Sequence, residues 1–259
     1  MKKKFKFSLA LLAVLSFGGS LTSCQGDGDS NISSSEPISV NPSVVDEATW
    51  NSEFTALTTD RNMTLTVDLF EMQGATTKML FNGDNYVIKI AAGIQSIEEY
   101  FVKEDDGYVC YYGMGSNAYI KIESDDLESS GANIYGDMVS SYPALFSQMF
   151  VNRYADFDFD NVDNIYKASE YKISYEDTYL GQTVTQEETF DEVEVVFKDL
   201  KLQQFRFATY EDSDEADSDD STSISSTTVK ENSMLVTDIG TTTFSVDFKY
   251  DTTKGYYTL

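Results

Sequence analysis

Hydrophobic residues follow a helical period near residue 50 and an alternating period along most of the remaining chain. Trp50, Phe54 and Leu57 recur at helical spacing, and acidic residues precede them where a first helical turn favours negative charge. This pattern predicts a helix over residues 44–57. Trp50 is the single tryptophan, and its place on the apolar stripe indicates a core residue.

From residue 62 the pattern changes to strict alternation. Met63, Leu65 and Val67 alternate with polar residues, which is typical of a half-buried strand. The pair Asn82-Gly83 stands between two further alternating runs and predicts a hairpin turn. Strands are accordingly expected at residues 62–69, 78–81, 86–90, 100–103, 108–112 and 118–123.

The alternation stops between residues 127 and 166, where the spacing predicts a second amphipathic helix over 142–154 with Pro143 in its first turn. Further strands are expected at residues 171–175, 183–189, 193–197, 202–209, 235–239 and 243–250. Residues 211–228 are rich in Asp, Ser and Thr and contain almost no large apolar residues. This composition predicts a disordered acidic loop.

These elements predict an α+β fold: an antiparallel β meander or half-open barrel with an N-terminal helix and one helical excursion. Residues 44–259 are expected to form a single β-rich domain. Residues 24–43, rich in Gly, Ser, Asp and Asn, have the composition of a flexible linker.

Residues 1–23 have the layout of an export signal. Four lysines (Lys2, Lys3, Lys4 and Lys6) precede an apolar run over residues 9–17. That run is shorter than the ~20 apolar residues that a helix needs to cross a bilayer. It therefore indicates a cleaved signal and not a permanent span.

The end of this signal resembles the lipobox of bacterial lipoproteins, which has an aliphatic residue, two small residues and a cysteine. Leu21, Thr22, Ser23 and Cys24 fill those four places. The resemblance implies that Cys24 carries diacylglycerol and becomes the first residue of the mature protein. The expected location is therefore the extracytoplasmic side of the cell membrane, with the acyl anchor as the membrane contact. The alternative is an ordinary cysteine behind a conventional cleaved signal.

The charge balance excludes one class of partner. The chain has 18 basic and 44 acidic residues, for a net charge of −26, and cleavage of the signal would remove four of the basic residues. A field of this sign repels nucleic acids and anionic lipid surfaces, so no nucleic-acid partner is expected.

Candidate catalytic groups are scarce. The chain contains no histidine, which excludes Ser-His and Cys-His nucleophile pairs and most zinc sites. We therefore expect that the protein is not an enzyme and binds no cofactor. The alternative is a carboxylate-based glycoside hydrolase. Cys110 lies in an aromatic strand-like run and is interpreted as a small buried hydrophobe.

One acidic motif could suggest a metal site. Asp156, Asp158 and Asp160 match the start of an EF-hand loop, but Asn161 stands where that loop needs glycine and Lys167 where it needs glutamate. An edge strand or a turn explains the spacing equally well, so no metal site is expected.

The order of elements resembles the half-open barrels of the LolA and LppX type, in layout alone and without a shared motif. That resemblance implies an apolar cavity for lipid between a curved sheet and a helix. The corresponding hypothesis is a binding module for a lipid or another apolar ligand, held by Leu145, Phe146, Met149 and Phe150. The alternative is a surface interaction or structural lipoprotein with a filled core, and in both cases the protein partner is unknown.

Overall fold

The architecture is a large open antiparallel sheet with two α-helices packed on one of its faces. The computed structural model describes residues 44–68, 75–93, 95–105, 107–123, 139–179, 182–212 and 229–259. Within these ranges the sheet has thirteen strands, and it does not close into a barrel. This confirms the predicted α+β class with its antiparallel meander, N-terminal helix and helical excursion.

The helices, including one short 3-10 helix, have the following bounds: α1, Glu47–Asp60; α2, Tyr142–Phe150; the 3-10 helix, Tyr154–Asp156. The strands are β1, Asn62–Asp68; β2, Ala75–Asn82; β3, Asn85–Ala92; β4, Gln95–Glu104; β5, Gly107–Gly113; β6, Tyr119–Ile122; β7, Asp158–Asp160; β8, Ile165–Tyr179; β9, Gln182–Lys198; β10, Lys201–Asp212; β11, Val229–Thr237; β12, Lys249–Asp251; β13, Tyr256–Thr258.

The strand order is β12-β13-β6-β5-β4-β3-β2-β1-β11-β10-β9-β8-β7. Strands β1 to β6 form the first half of the sheet and β7 to β11 the second half, and within each half every strand pairs with its neighbour in the chain. The two halves join where β1 pairs with β11, with Thr64 opposite Thr237 and Asp68 opposite Ser233. The central pairing is therefore also one of the most distant in sequence.

The start of helix α1 is set by its N-cap residue, Asp46. The Asp46 carboxylate accepts a hydrogen bond from the Thr49 amide at 2.8 Å, which satisfies one of the free N–H groups of the first turn. The helix consequently begins at Glu47, three residues later than the hydrophobic pattern predicted. It ends at Asp60, and the capping residue Arg61, with a left-handed φ of 45°, turns the chain into β1.

The main core lies on the face of the sheet that carries the helices and includes buried residues of both halves. Trp50 lies where the two helices pack on the second half. The indole is fully buried, and its Nε1 donates to the Phe150 carbonyl of α2 at 2.9 Å. Six aromatic rings have their centroids between 4.9 and 6.2 Å from Trp50, those of Phe54, Phe150, Tyr154, Phe157, Tyr166 and Phe197. This cluster, which we call the Trp50 cluster, fixes both helices on the sheet.

The opposite face of the sheet is covered differently. Residues 242–248 cross the outer face of the first half, where Phe248 stacks on Tyr111 with 3.9 Å between ring centroids. The Asn62 side chain accepts from the Thr242 amide at 2.8 Å and donates to the Thr242 carbonyl at 3.0 Å. This segment therefore forms a second, smaller apolar layer on the back of β3 to β5.

Here the predicted strand over 243–250 is wrong for most of its length, because only Lys249–Asp251 pairs as a strand. Alternation in this segment arises because Phe244 and Phe248 pack on the sheet below them, and such packing needs no ladder hydrogen bonds. An alternating pattern reports one buried face and not the pairing itself.

Strand β8 begins earlier and ends later than the predicted 171–175. Between buried Ala168 and buried Tyr171, two consecutive residues are exposed, and Glu170 has a left-handed φ of 50°. The left-handed residue shifts the alternation of buried positions by one, while the register with β9 stays continuous, so the alternating pattern did not predict the first part of β8. The second predicted helix is also shorter than the predicted range 142–154: it stops at Phe150 and is followed by the 3-10 helix.

The first two residues of the predicted acidic loop are strand, because β10 continues to Asp212. Strand β11 starts at Val229, directly after the predicted loop. The remainder, residues 213–228, lies outside the described residues, as do the predicted signal peptide and linker. None of the described helices combines the length and the apolar character that crossing a bilayer requires.

Phe150→Ala is expected to lower the free energy of unfolding by about 3 to 5 kcal/mol, because it leaves a cavity among rings that cannot close around it. Val162→Ala is the matched control: Val162 is 89% exposed, and its truncation should change stability by less than about 0.5 kcal/mol. Urea unfolding of both variants measures the difference. Equal midpoints would contradict the central role of the Trp50 cluster.

Candidate functional site

The structure places the predicted ligand residues of α2 in the Trp50 cluster and its surroundings. Phe146, Met149 and Phe150 are buried, and Leu145 is partly buried beside them. The Phe150 ring stacks on Phe54 at 4.2 Å, and the Phe146 ring lies 5.3 Å from that of Phe205 in β10. These side chains therefore occupy the space in which the lipid hypothesis places its ligand. Cys24, the predicted lipidation site, lies outside the described residues.

Cys110 is buried, as the sequence predicted, on the core-facing side of β5. Burial raises the pKa of its thiol, and the nearby Glu99 carboxylate adds to the effect. A thiol held in its protonated form is a poor nucleophile. Cys110 accordingly acts as a packing residue.

Glu99 is the unusual group of this region, because its carboxyl belongs to the core-facing side of β4. Its register partners are Ile88 in β3 and Tyr112 in β5. Burial raises the pKa of Glu99 to about 6, because a charged carboxylate is poorly solvated there. Ionisation of Glu99 at neutral pH therefore opposes folding.

Two of the three aspartates of the EF-hand-like motif form hydrogen bonds or ion pairs with neighbouring residues. Asp160 accepts from Lys167 Nζ at 3.0 Å and from the Val162 amide at 2.8 Å. Hydrogen bonding to Lys167 is the main reason that the pKa of Asp160 falls to about 2. Asp156 pairs with Arg153. The motif thus runs from the 3-10 helix into the edge strand β7, and the turn to β8 follows it. In the described ranges, no cluster of three or more His, Cys, Asp or Glu is suited to a metal ion.

A groove lies on the outer face, where β4 runs beside the turn between β5 and β6. Its volume is about 200 Å³, and Ser96, Glu98, Gly113, Asn117 and Tyr119 are among its lining residues. One water occupies roughly 30 Å³ of liquid. The groove is therefore large enough for a small group and not for an acyl chain.

The local backbone builds this groove. A side chain at Gly113 would place its Cβ 2.9 Å from the Glu98 carbonyl, so glycine is required for the two strands to approach here. Gly115, Ser116 and Asn117 all have left-handed φ angles, from 52° to 85°. Three such residues in succession make the sharp turn that forms one wall.

The charges in the groove are balanced. Glu98 accepts from Lys89 Nζ at 2.9 Å and from the Tyr100 hydroxyl at 3.3 Å. The carboxylate is therefore neutralised within the protein, and the remaining polar groups are hydroxyls, an amide and backbone groups. This composition suits a neutral polar group better than an ion.

Sequence reasoning did not identify the groove. Its lining comes from two separate parts of the chain, residues 96–98 and 113–119, which only the antiparallel pairing of β4, β5 and β6 brings together. The available signal was the two glycines of Gly113-Met-Gly115 followed by Ser-Asn, a composition typical of left-handed turn positions.

Comparisons with known proteins assign no family. No protein-family model matches the chain, and no curated protein matches it either. The site must therefore be interpreted from its own geometry.

Glu99→Gln is expected to change how stability depends on pH. The folded-state pKa of Glu99, about 6, lies above its usual value of 4.5, so its contribution to stability is present below pH ~4.5 and is lost as the pH rises through ~6. The variant lacks this loss and should be more stable than wild type by about 1 kcal/mol at pH 8.

Glu187→Gln provides the control, because it removes one charge from an exposed position. Urea midpoints measured between pH 4 and pH 8 should keep the wild-type pH slope in this control. A Glu99→Gln variant with the wild-type slope would show that Glu99 is solvated in the folded protein.

Proposed function

We propose that the chain is the body of a membrane-anchored extracytoplasmic lipoprotein that acts as a binding module at its surface and is not an enzyme. The observation that carries this proposal is the filled Trp50 cluster. Rings from α1, α2 and the sheet lie 4.2 to 6.3 Å apart throughout it. A ligand held between α2 and the sheet would have to displace this packing.

The free-energy cost of exposing buried rings favours ligand binding at the surface over binding in the interior. Moving α2 away from the sheet would expose Phe146 and Phe150 and would break the hydrogen bond from the Trp50 indole. Exposing one large aromatic side chain costs about 1.5 to 3 kcal/mol. In the other hypothesis, interior lipid binding, contacts with the lipid must offset this cost for several rings. A partner that binds at the surface exposes none of these rings.

The anchor assignment rests on the sequence. A lipobox ending in Cys24 and a net charge of −26 together imply a body that is held near lipid by acyl chains and not by electrostatic attraction. Such a body presents its exposed faces to extracytoplasmic partners.

The anchor is tested with Cys24→Ala. Wild type expressed in a bacterial host should enter the detergent phase of a Triton X-114 extraction and carry the mass of an N-terminal diacylglycerol, and Cys24→Ala should lose both properties. Cys110→Ala, which removes the other cysteine of the chain, should keep both. Detergent partitioning of Cys24→Ala would contradict lipidation at this residue.

The filled interior is tested on the Cys24→Ala protein, because it lacks the acyl anchor and any bound lipid must be a ligand. Native mass spectrometry after purification should give the mass of the polypeptide alone, and added phospholipid should leave that mass unchanged. A stoichiometric lipid adduct that Phe146→Trp or Phe150→Trp weakens would favour the interior lipid hypothesis instead.

A further inference from the structure

Strand β8 has a long open edge at the end of the second half of the sheet. It has 15 residues and pairs with β9 along nearly all of them. On its other side, β7 pairs with Ile165, Tyr166 and Lys167 alone. In the part of the chain that the structure describes, no strand lies against residues 168–179.

Open edges of this length are usually protected, because their free N–H and C=O groups can pair with another chain. The opposite edge of the sheet is the three-residue strand β12. On β8, the Arg153 guanidinium donates to the Lys172 carbonyl at 3.0 Å and lies over the Tyr171 ring at 4.7 Å. Among the described residues, this contact protects the edge as far as Lys172.

The Lys172 contact also shows which backbone groups face outward. In an antiparallel strand, the N–H and C=O of one residue point to the same side, and alternate residues share that side. Because the Lys172 carbonyl meets Arg153 outside the ladder with β9, the groups of Ser174 face outward as well. The backbone from Ser174 onward therefore offers a regular row of donors and acceptors.

We propose that this open edge of β8 binds an extended segment of a partner protein by strand addition, and that the segment alternates basic and apolar residues. The proposal rests on the surface-binding function and names its partner class. Strand addition supplies main-chain hydrogen bonds, and the alternating side chains supply specificity.

Two features of the edge select this chemistry. On the core-facing side Tyr171 and Ile173 are buried apolar residues, so apolar residues of an added strand would continue that surface. On the outer side, Ser174 lies directly opposite exposed Glu187 in the register, and exposed Glu170 precedes it along β8, so these two carboxylates outnumber the one exposed cation there, Lys172. Basic residues of the added strand would meet these carboxylates.

The overall charge argues against a second copy of this chain as the occupant. Each copy carries a net charge of −26, so self-association brings like charges together, whereas a basic segment is attracted. The segment is extended because the free backbone groups of β8 can all be satisfied only by a strand.

The test uses the full-length Cys24→Ala protein and a synthetic peptide of about eight alternating Lys and Val residues, a length that matches the open edge at ~3.3 Å per residue. Fluorescence anisotropy should show saturable binding. A peptide with Glu in place of Lys should bind at least about tenfold more weakly.

Ser174→Pro is the variant that tests the edge. It removes an outward-facing N–H and leaves the ladder with β9 intact, so peptide affinity should fall about tenfold or more while the thermal midpoint stays near that of Ser174→Ala. Ser174→Ala keeps the N–H and should bind as wild type does.

The proposal would be overturned by no binding of the Lys peptide, by equal binding of the Lys and Glu peptides, or by wild-type affinity in a folded Ser174→Pro. Dimerisation of the protein that Ser174→Pro abolishes would also overturn it, because the occupant would then be a second copy. None of these results affects the anchor at Cys24 or the filled Trp50 cluster, which are measured separately.

Discussion

The hydrogen bond and ring contacts of Trp50 are the constraint on which the remaining structure depends. The indole Nε1 donates to the last carbonyl of α2, so the two helices are fixed directly to each other as well as to the sheet. Tyr166 extends this arrangement, because its hydroxyl accepts from the Val45 amide at 2.8 Å and holds the chain just ahead of α1. A single indole therefore positions the N-terminal helix, the helical excursion and the start of β8.

Buried core residues line one face along both halves of the sheet, and a second apolar layer covers the other face of the first half. Helices α1 and α2 cover the core-facing side of the second half, and residues 242–248 cover the outer side of the first half. The outer side of the second half instead carries a polar network in which Arg206 pairs with Glu194 and Glu231. Desolvation beside this network raises the pKa of Glu194. The groove and the open edge of β8 lie at the margins of these layers, where backbone and polar groups remain accessible.

The sequence was sufficient for the first half of the sheet and for the core, and insufficient for the candidate sites. Strands β1 to β6 pair with their neighbours in the chain, so alternation and the Asn82-Gly83 turn predict them directly. The alternating pattern wrongly predicted a strand at residues 243–248, because side chains that pack on a sheet alternate in the same way as those of a paired strand. The groove and the β8 edge depend on left-handed backbone at residues 115–117 and at Glu170, which side-chain patterns do not report.

The junction of the two halves limits the order in which the sheet can form. Thr64 pairs with Thr237, so the middle of the sheet stays incomplete until most of the polypeptide is available. Contacts this distant in sequence slow folding. For the exported lipoprotein proposed here, this delay would be useful, because an unfinished sheet can be threaded through a translocation channel and completes only after its final strands have crossed.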